Sequence, residues 1–381
     1  MNSYIVPILY AIIIFPFIAA IFTLPYILVQ YRKYGSIPSI RVIIVYSFIL
    51  YLLSSYFLVI LPFPTFTEVK NMTIARFQLI PFTFIKDFLR TTSLVLSNPK
   101  TYLMVLKEPI VYQAFYNTLL FIPFGMYLRY YFKCSLKKTF FLSLLLSLFF
   151  EITQLTGLYF LYPRNYRMFD VDDLIINTFG GIIGYFLALI LFKIFPNRDK
   201  IDEIAYKNGK TIPLLRRFIA TIIDSVFCLI LSFILYKLLN NYLLNNMIIY
   251  YCISILIYYV SFTYIFKGYT IGKAILKIKL ISTISEKLSL SQLIVRFGLI
   301  SFLEFIPLYL IKLINYNDVL KIAKSGKESI YFIISLFTFV FVIYIFKKLK
   351  DISNGKQLFY EKLSKTKNIS TIVDAFTNEI V

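Results

Sequence analysis

The hydrophobic positions of this chain form long, nearly uninterrupted runs, and the polar residues are concentrated between them. A helix that crosses a membrane needs roughly 20 mostly apolar residues, and about nine windows meet that need. The windows are Tyr4–Gln30, Val42–Leu61, Ile110–Arg129, Thr139–Leu158, Leu174–Ile194, Phe218–Leu239, Met247–Phe266, Phe297–Ile314 and Ser329–Phe346. The pattern predicts an all-α polytopic membrane protein with about nine transmembrane helices.

The segment FPNRDKIDEIAYKNGKTIP, which follows the fifth window, is the most polar stretch of its length and predicts a break between two helical bundles. We therefore expect an N-terminal helix with a basic loop, a first membrane domain, a cytoplasmic linker, a second membrane domain and a short tail. Their predicted ranges are residues 1–45, 46–194, 195–211, 212–367 and 368–381.

The composition excludes an ordinary soluble domain, because 59% of the residues are hydrophobic and only 15% are charged. The net charge of +21 would suggest nucleic acid in a soluble protein. Basic residues also collect on the cytoplasmic side of membrane proteins, however, and 27 of the 40 fall in alternate loops that include the C-terminal tail. The bias predicts an outside N-terminus and an inside C-terminus, with the lipid bilayer and not nucleic acid as partner.

The chain has no His, which excludes catalytic triads and zinc motifs that need an imidazole. Its three cysteines, Cys134, Cys228 and Cys252, lie in or beside apolar segments and are interpreted as small hydrophobic side chains. We predict no metal site and no cofactor. Asp and Glu could offer oxygen ligands to a hard divalent ion or sodium, but no motif supports either ion.

Polar residues inside two consecutive apolar windows indicate a site in the N-terminal half, because burying them is costly. Glu151 and Gln154 share one face of the fourth predicted helix. After Arg164 and Arg167, the next helix begins with three aspartates and continues with Asn177 and close-packing glycines. The three aspartates are Asp170, Asp172 and Asp173. Spacings of three and four place Asp173, Asn177, Gly180 or Gly181, and Gly184 in one stripe. Alternatively, the aspartates only cap the helix, and Glu151 only pairs with one of the two arginines.

Four ordered motifs in this half resemble the VanZ-like family. They are RFQLIPF (Arg76–Phe82), NTLLFIPFGMYL (Asn117–Leu128), FFEITQL (Phe149–Leu155) and RMFDVDDLIINTFGGIIGY (Arg167–Tyr185). Gln78 stands where the family usually has Asn. The resemblance covers roughly residues 46–194 and implies a bacterial membrane protein of the cell envelope, in a family whose founding member is linked to teicoplanin resistance.

Carried over position by position, the resemblance implies a ligand site, and the predicted topology places it at the outer face of the membrane or in the outer halves of the spans. Its residues are Arg76, Glu151, Gln154, Arg167, Asp170, Asp173 and Asn177. The implied ligand is a glycopeptide or a lipid-linked wall precursor. Glu151 and Asp173 are candidate catalytic residues in a hydrolytic version of this hypothesis, and whether the protein is an enzyme stays open.

The C-terminal half begins with RRFIATIID, which places Arg217, Ala220 and Asp224 on one helical face and predicts a basic partner, such as Arg217, for the buried Asp224. The later segment GYTIGKAILKIKLI contains Gly272 and Lys273. As an alternative to a functional role, we interpret it as an amphipathic stretch that lies on the inner leaflet of the membrane. A third motif, FYEKLSKT, has Glu361 at the position where the RDD family usually has Asp. The three motifs together resemble the RDD family over roughly residues 212–367.

That second resemblance implies a membrane domain, and some relatives are proposed cation/proton antiporters. One alternative function is therefore a transporter that uses Asp224 and Glu304 as ion carriers. Another is a membrane scaffold without catalysis. The expected location is the plasma membrane of a bacterium, and the sequence does not give the oligomeric state.

Overall fold

The computed structural model describes residues 2–95, 97–239, 247–300, 343–351 and 356–373, together with Phe339. The chain divides into two compact units. The first contains residues 1–23 and 38–202, and the second contains residues 24–37 and 203–381. The division falls inside the predicted linker, which is helical, and the predicted N-terminal segment 1–45 contributes to both units.

Helices account for most of the first unit, as the hydrophobic runs predict. The elements up to the end of the linker are α1 Asn2–Tyr34, α2 Ser39–Ile60, α3 Phe66–Asn71, β1 Phe77–Gln78, α4 Thr83–Thr91, a 3-10 turn Pro99–Thr101, α5 Tyr102–Val105, α6 Pro109–Tyr130, α7 Leu136–Leu155, α8 Gly157–Phe160, β2 Phe169–Asp170, α9 Val171–Ile194 and α10 Arg198–Gly209.

The second unit is also largely helical. Its further elements are α11 Leu214–Leu239, α12 Met247–Leu256, a π-helical turn Ile257–Phe262, α13 Thr263–Ile265, α14 Ile271–Ile275, β3 Ile278–Ser282, α15 Leu290–Ile300, the short helix Phe359–Leu363 and β4 Thr366–Ser370.

Among the described residues, five helices are long and apolar enough to cross a membrane. They are Ile5–Tyr34, Ser39–Ile60, Leu136–Leu155, Val171–Ile194 and Leu214–Leu239. Two further predicted windows are also helical, in α6 and in the continuous run α12 to α13. Most of the eighth and ninth windows lies outside the described residues, so the full number of spans and the orientation stay predictions. The multi-pass helical membrane protein itself is confirmed.

Glycines bring α9 close to its two neighbours, as the small-residue stripe predicts. A Cβ added at Gly180 or Gly184 would fall on a backbone carbonyl of α6, and one added at Gly181 would fall on the Ser143 hydroxyl of α7. A Cβ at Gly125 of α6 would likewise fall on the Gly181 carbonyl. Such contacts leave no room for side chains, so α6 and α9 pack backbone against backbone.

Two short sheets were not predicted. In the first unit, β1 and β2 are parallel, with Phe77 opposite Phe169 and Gln78 opposite Asp170. In the second unit, β3 and β4 are antiparallel, with Ile278 opposite Ser370. The first sheet bears on the site, because it attaches the loop before α4 to the segment that leads into α9.

Candidate functional site

The end of α7 and the beginning of α9 meet through one carboxylate. Glu151, one turn before the end of α7, is 3% exposed, and its Oε2 accepts a 2.9 Å hydrogen bond from the Asp170 backbone amide. Asp170 is the N-cap of α9, and its Oδ1 accepts the Asp172 amide at 2.8 Å. Acidic side chains are favoured at a helix N-terminus, where the first amides have no helical partner.

A second set of polar contacts connects α6, α7 and α9. The Asn117 side-chain amide donates to Asp173 Oδ1 at 2.7 Å. One turn further along α9, the Asn177 amide donates to the Ser147 hydroxyl at 2.9 Å. The buried Asn177 Oδ1 has no hydrogen-bond partner among the described residues. Three helices therefore contribute polar atoms to one place.

Most of these side chains line a cavity of about 740 Å³ in the first unit. Its polar wall includes Asn117, Glu151, Gln154, Arg167, Asp170, Asp173 and Asn177. Its apolar wall includes Tyr51, Leu58, Val59, Leu120 and Phe150. Six of the seven residues predicted for the ligand site thus border the same space. A volume of this order is typical of pockets that bind small organic molecules.

The charges that line this cavity are unequal. Three carboxylates, those of Glu151, Asp170 and Asp173, stand against the single guanidinium of Arg167 in the described lining. Burial and repulsion from Asp172 raise the pKa of Asp170 above its ordinary value, although the hydrogen bond from the Asp172 amide lowers it. The arrangement suits a ligand that brings positive charge or hydrogen-bond donors.

Within the described residues, Glu151 forms no ion pair with either arginine, although Arg167 is near enough to interact with it electrostatically. Arg164 donates to the backbone carbonyls of Met72 and Ile74. Arg167 donates to the Leu61 carbonyl at 3.3 Å. Arg164 therefore holds the segment after α3, and Arg167 holds the residue after α2. The hydrogen bond to Glu151 comes from the Asp170 amide.

Arg76 is the predicted site residue that does not line the cavity. Its side chain is exposed, and its carbonyl accepts the Phe169 amide at 3.0 Å beside the first sheet. Asp172 has a supporting position: its carboxylate accepts the amides of Phe82 and Phe84, at 2.6 and 2.9 Å, where α4 begins. Gln78 Nε2 lies 3.5 Å from the same carboxylate.

The second unit corrects the predicted partner of Asp224. Instead of an arginine, three neutral donors each make a 2.7 Å hydrogen bond to its carboxylate. They are the Tyr258 hydroxyl, the Thr270 hydroxyl and the Gly272 amide. A Cβ at Gly272 would fall on the Ala220 carbonyl and lie 2.9 Å from Asp224 Oδ1, so this close approach explains the glycine.

Glu361 is the carboxylate that pairs with arginine in this unit. Its Oε1 lies 3.5 Å from Arg217 Nη1 and 3.3 Å from Arg296 Nη2. Glu361 therefore lies where its negative charge can balance the positive charges of Arg217 and Arg296. Lys273, the remaining predicted residue, lies in α14 near the same cations and is considered below.

Sequence reasoning missed two residues that organise these regions. Asn117 was included in a motif but not assigned to the site, although a polar residue in an apolar window was a usable signal. Arg216 is fully buried, and its guanidinium donates to five backbone carbonyls and the Ser370 hydroxyl. No signal in the sequence separates it from its neighbour Arg217.

Over the ranges that the structure covers, no group of three His, Cys, Asp or Glu side chains is arranged to hold a metal ion. The absence of a cofactor stays a prediction.

Comparisons with known proteins agree with both sets of motifs. The VanZ/LLP1 family model matches residues 48–193, and the RDD family model matches residues 211–365. No curated protein and no solved structure matches the chain. The two resemblances found from the motifs are confirmed.

Proposed function

We propose that the first unit binds an amphiphilic ligand at the outer face of a bacterial plasma membrane. Residues 48–193 of the chain belong to the VanZ/LLP1 family, and residues 211–365 belong to the RDD family. The ligand is a glycopeptide of the teicoplanin type or a lipid-linked wall component. Binding of this kind would contribute to glycopeptide resistance or to the handling of wall components in the cell envelope.

The cavity with one acidic wall and one apolar wall is the observation that carries this proposal. Glu151, Asp170 and Asp173 offer acceptors for an amino group or other donors, and the side chains of Tyr51 and Phe150 offer apolar surface. An amphiphile satisfies both walls at once. A space of about 740 Å³ fits one part of a large amphiphile, such as its acylated or amino-bearing end, and not the entire molecule.

The buried carbonyl oxygen of Asn177 adds a second argument. A buried amide oxygen without a hydrogen bond costs about 1–3 kcal/mol, and Asn177 Oδ1 is in this state within the described structure. A donor group of a bound ligand would remove that cost. The proposal is one of binding; hydrolysis with Glu151 or Asp173 as catalytic residues stays a separate prediction.

Teicoplanin susceptibility of cells that express the protein tests this function. Glu151→Gln and Asp173→Asn should remove the difference in susceptibility between expressing and null cells, at unchanged protein level. Asp199→Asn is the matched control, because Asp199 is an exposed carboxylate that does not line the cavity. Binding of teicoplanin by the purified protein should fall in the same two variants. Full protection by both variants would show that the carboxylates are structural.

A further inference from the structure

A second, smaller cavity lies within the second unit and is lined by basic side chains. Its volume is about 150 Å³, and Arg217, Lys273, Arg296 and Lys348 all border it. They come from α11, from α14, from α15 and from the described residues 343–351. Segments that are distant in sequence therefore place four cations around one small space.

The carboxylates nearby are already engaged. Glu361 Oε1 accepts hydrogen bonds from Arg217, from Arg296 and, at 3.3 Å, from Asn368. Asp224 is held by its three neutral donors. Four cationic side chains thus face two carboxylates among the described residues, which leaves an excess of two positive charges at the cavity.

Two donors at the cavity also lack acceptors among the described residues. The Nε atoms of Arg217 and Arg296 are buried and have no hydrogen-bond partner in the described part of the chain, and Arg296 is only 3% exposed. The Lys273 ammonium lies 5.2 Å from the Phe297 ring centroid and 6.0 Å from that of Tyr259. Burial, followed by the charge of Arg296, lowers the pKa of Lys273 to about 8. Both effects disfavour the protonated form of Lys273.

We propose that this cavity binds a small tetrahedral oxyanion of the phosphate type, either free or as the headgroup of an anionic phospholipid. Such an anion would neutralise the excess positive charge and accept hydrogen bonds from the unpaired donors. Its oxygen atoms would also match the planar geometry of the arginine guanidinium. A volume of about 150 Å³ has room for one such group. The same excess repels cations, which counts against a cation path along Asp224.

The full-length protein, purified in an uncharged detergent, tests the proposal directly. Inorganic phosphate and sulfate should raise its thermal midpoint at constant ionic strength, and chloride should not. Native mass spectrometry after addition of phosphatidylglycerol or phosphatidylcholine separates the two sources. Retention of phosphatidylglycerol alone, without an effect of phosphate, would identify the headgroup as the ligand. Stabilisation by phosphate without lipid retention would identify the free anion.

Lys273→Gln should weaken the binding at least tenfold, whereas Lys273→Arg should largely preserve it. Lys279→Gln is the matched control, since Lys279 lies six residues away on β3 and does not line the cavity. Two results would overturn the proposal. The first is a wild-type protein with neither a phosphate effect nor a preference for phosphatidylglycerol, and the second is an equal loss in Lys279→Gln. Neither result would affect the proposed ligand site of the first unit.

Discussion

Asn117 of α6 and Asp173 of α9 are joined by a single 2.7 Å hydrogen bond at the wall of the larger cavity. A hydrogen bond to a carboxylate is stronger than one between neutral groups. This bond also fixes the direction of the Asp173 carboxylate, because Oδ1 is occupied on the side of α6. The contact therefore belongs both to the packing of the two helices and to the geometry of the site.

Asn117→Leu should destabilise the first unit by about 1–3 kcal/mol, because it leaves the Asp173 carboxylate without its donor. The thermal midpoint of the purified protein in one detergent measures the change. Gln113→Leu is the control: Gln113 lines the same cavity one turn earlier on α6, but its side chain is exposed. Equal midpoints for the two variants would mean that the hydrogen bond adds nothing to stability.

The helices and part of this site could be predicted from the sequence for a simple physical reason. Long apolar runs have one stable structure in a bilayer, and a helical period places Asp173 and Asn177 on one face. The β1–β2 pair could not be predicted, because two residues per strand carry no alternation. The contact to Asn117 depends on how α6 and α9 pack, which no local pattern specifies.

Gly184→Ala should destabilise the protein more than its small volume suggests. The added methyl would fall on the Ile122 carbonyl, so the backbones of α6 and α9 must separate. Overpacking of this kind typically costs about 1–3 kcal/mol. Gly298→Ala is the matched control, since a Cβ there meets nothing within 4 Å in the described structure, and its midpoint should be unchanged or slightly higher. A Gly184→Ala midpoint equal to wild type would contradict the close packing.

Arg216→Lys should destabilise the second unit strongly, by about 3 kcal/mol or more, although the charge is kept. The guanidinium donates to carbonyls at Gly35, Gly209 and Leu276, which a single ammonium cannot reach together. Arg217→Lys, at the next position, should have a smaller effect on the thermal midpoint, because Arg217 is partly exposed and its side chain bonds only Glu361 among the described residues. The reverse order of the two midpoints would exclude the structural role of Arg216.

The hydrogen-bond partners of Asp224 in the second unit could not be predicted from its motif. The spacing in RRFIATIID correctly placed Asp224 inside the bundle, but a charge rule suggested an arginine as its partner. Neutral donors from Tyr258, Thr270 and Gly272 satisfy the carboxylate instead, and they are more than 30 residues away in sequence. Pairings across such distances depend on tertiary packing and leave no local signature.

The affinity of the smaller cavity for sulfate should fall as the pH rises from 7 to 9. Lys273 has a pKa lowered to about 8, so it is mainly protonated at pH 7 and mainly neutral at pH 9. If the anion binds the protonated form, the apparent affinity should decrease up to about tenfold over this interval. Sulfate is the suitable probe, because its own charge is constant over this range. Titration of the purified protein by calorimetry gives the affinity at each pH.

The control for this pH dependence is Lys273→Arg, whose guanidinium stays charged throughout and whose sulfate affinity should therefore be nearly constant. The other charged groups at the cavity are Arg217, Arg296, Lys348, Asp224 and Glu361. Glu361 is held between the two arginines by an ion pair with each of them. An equal decrease in wild type and Lys273→Arg would assign the titration to another of these groups and remove Lys273 from the anion site.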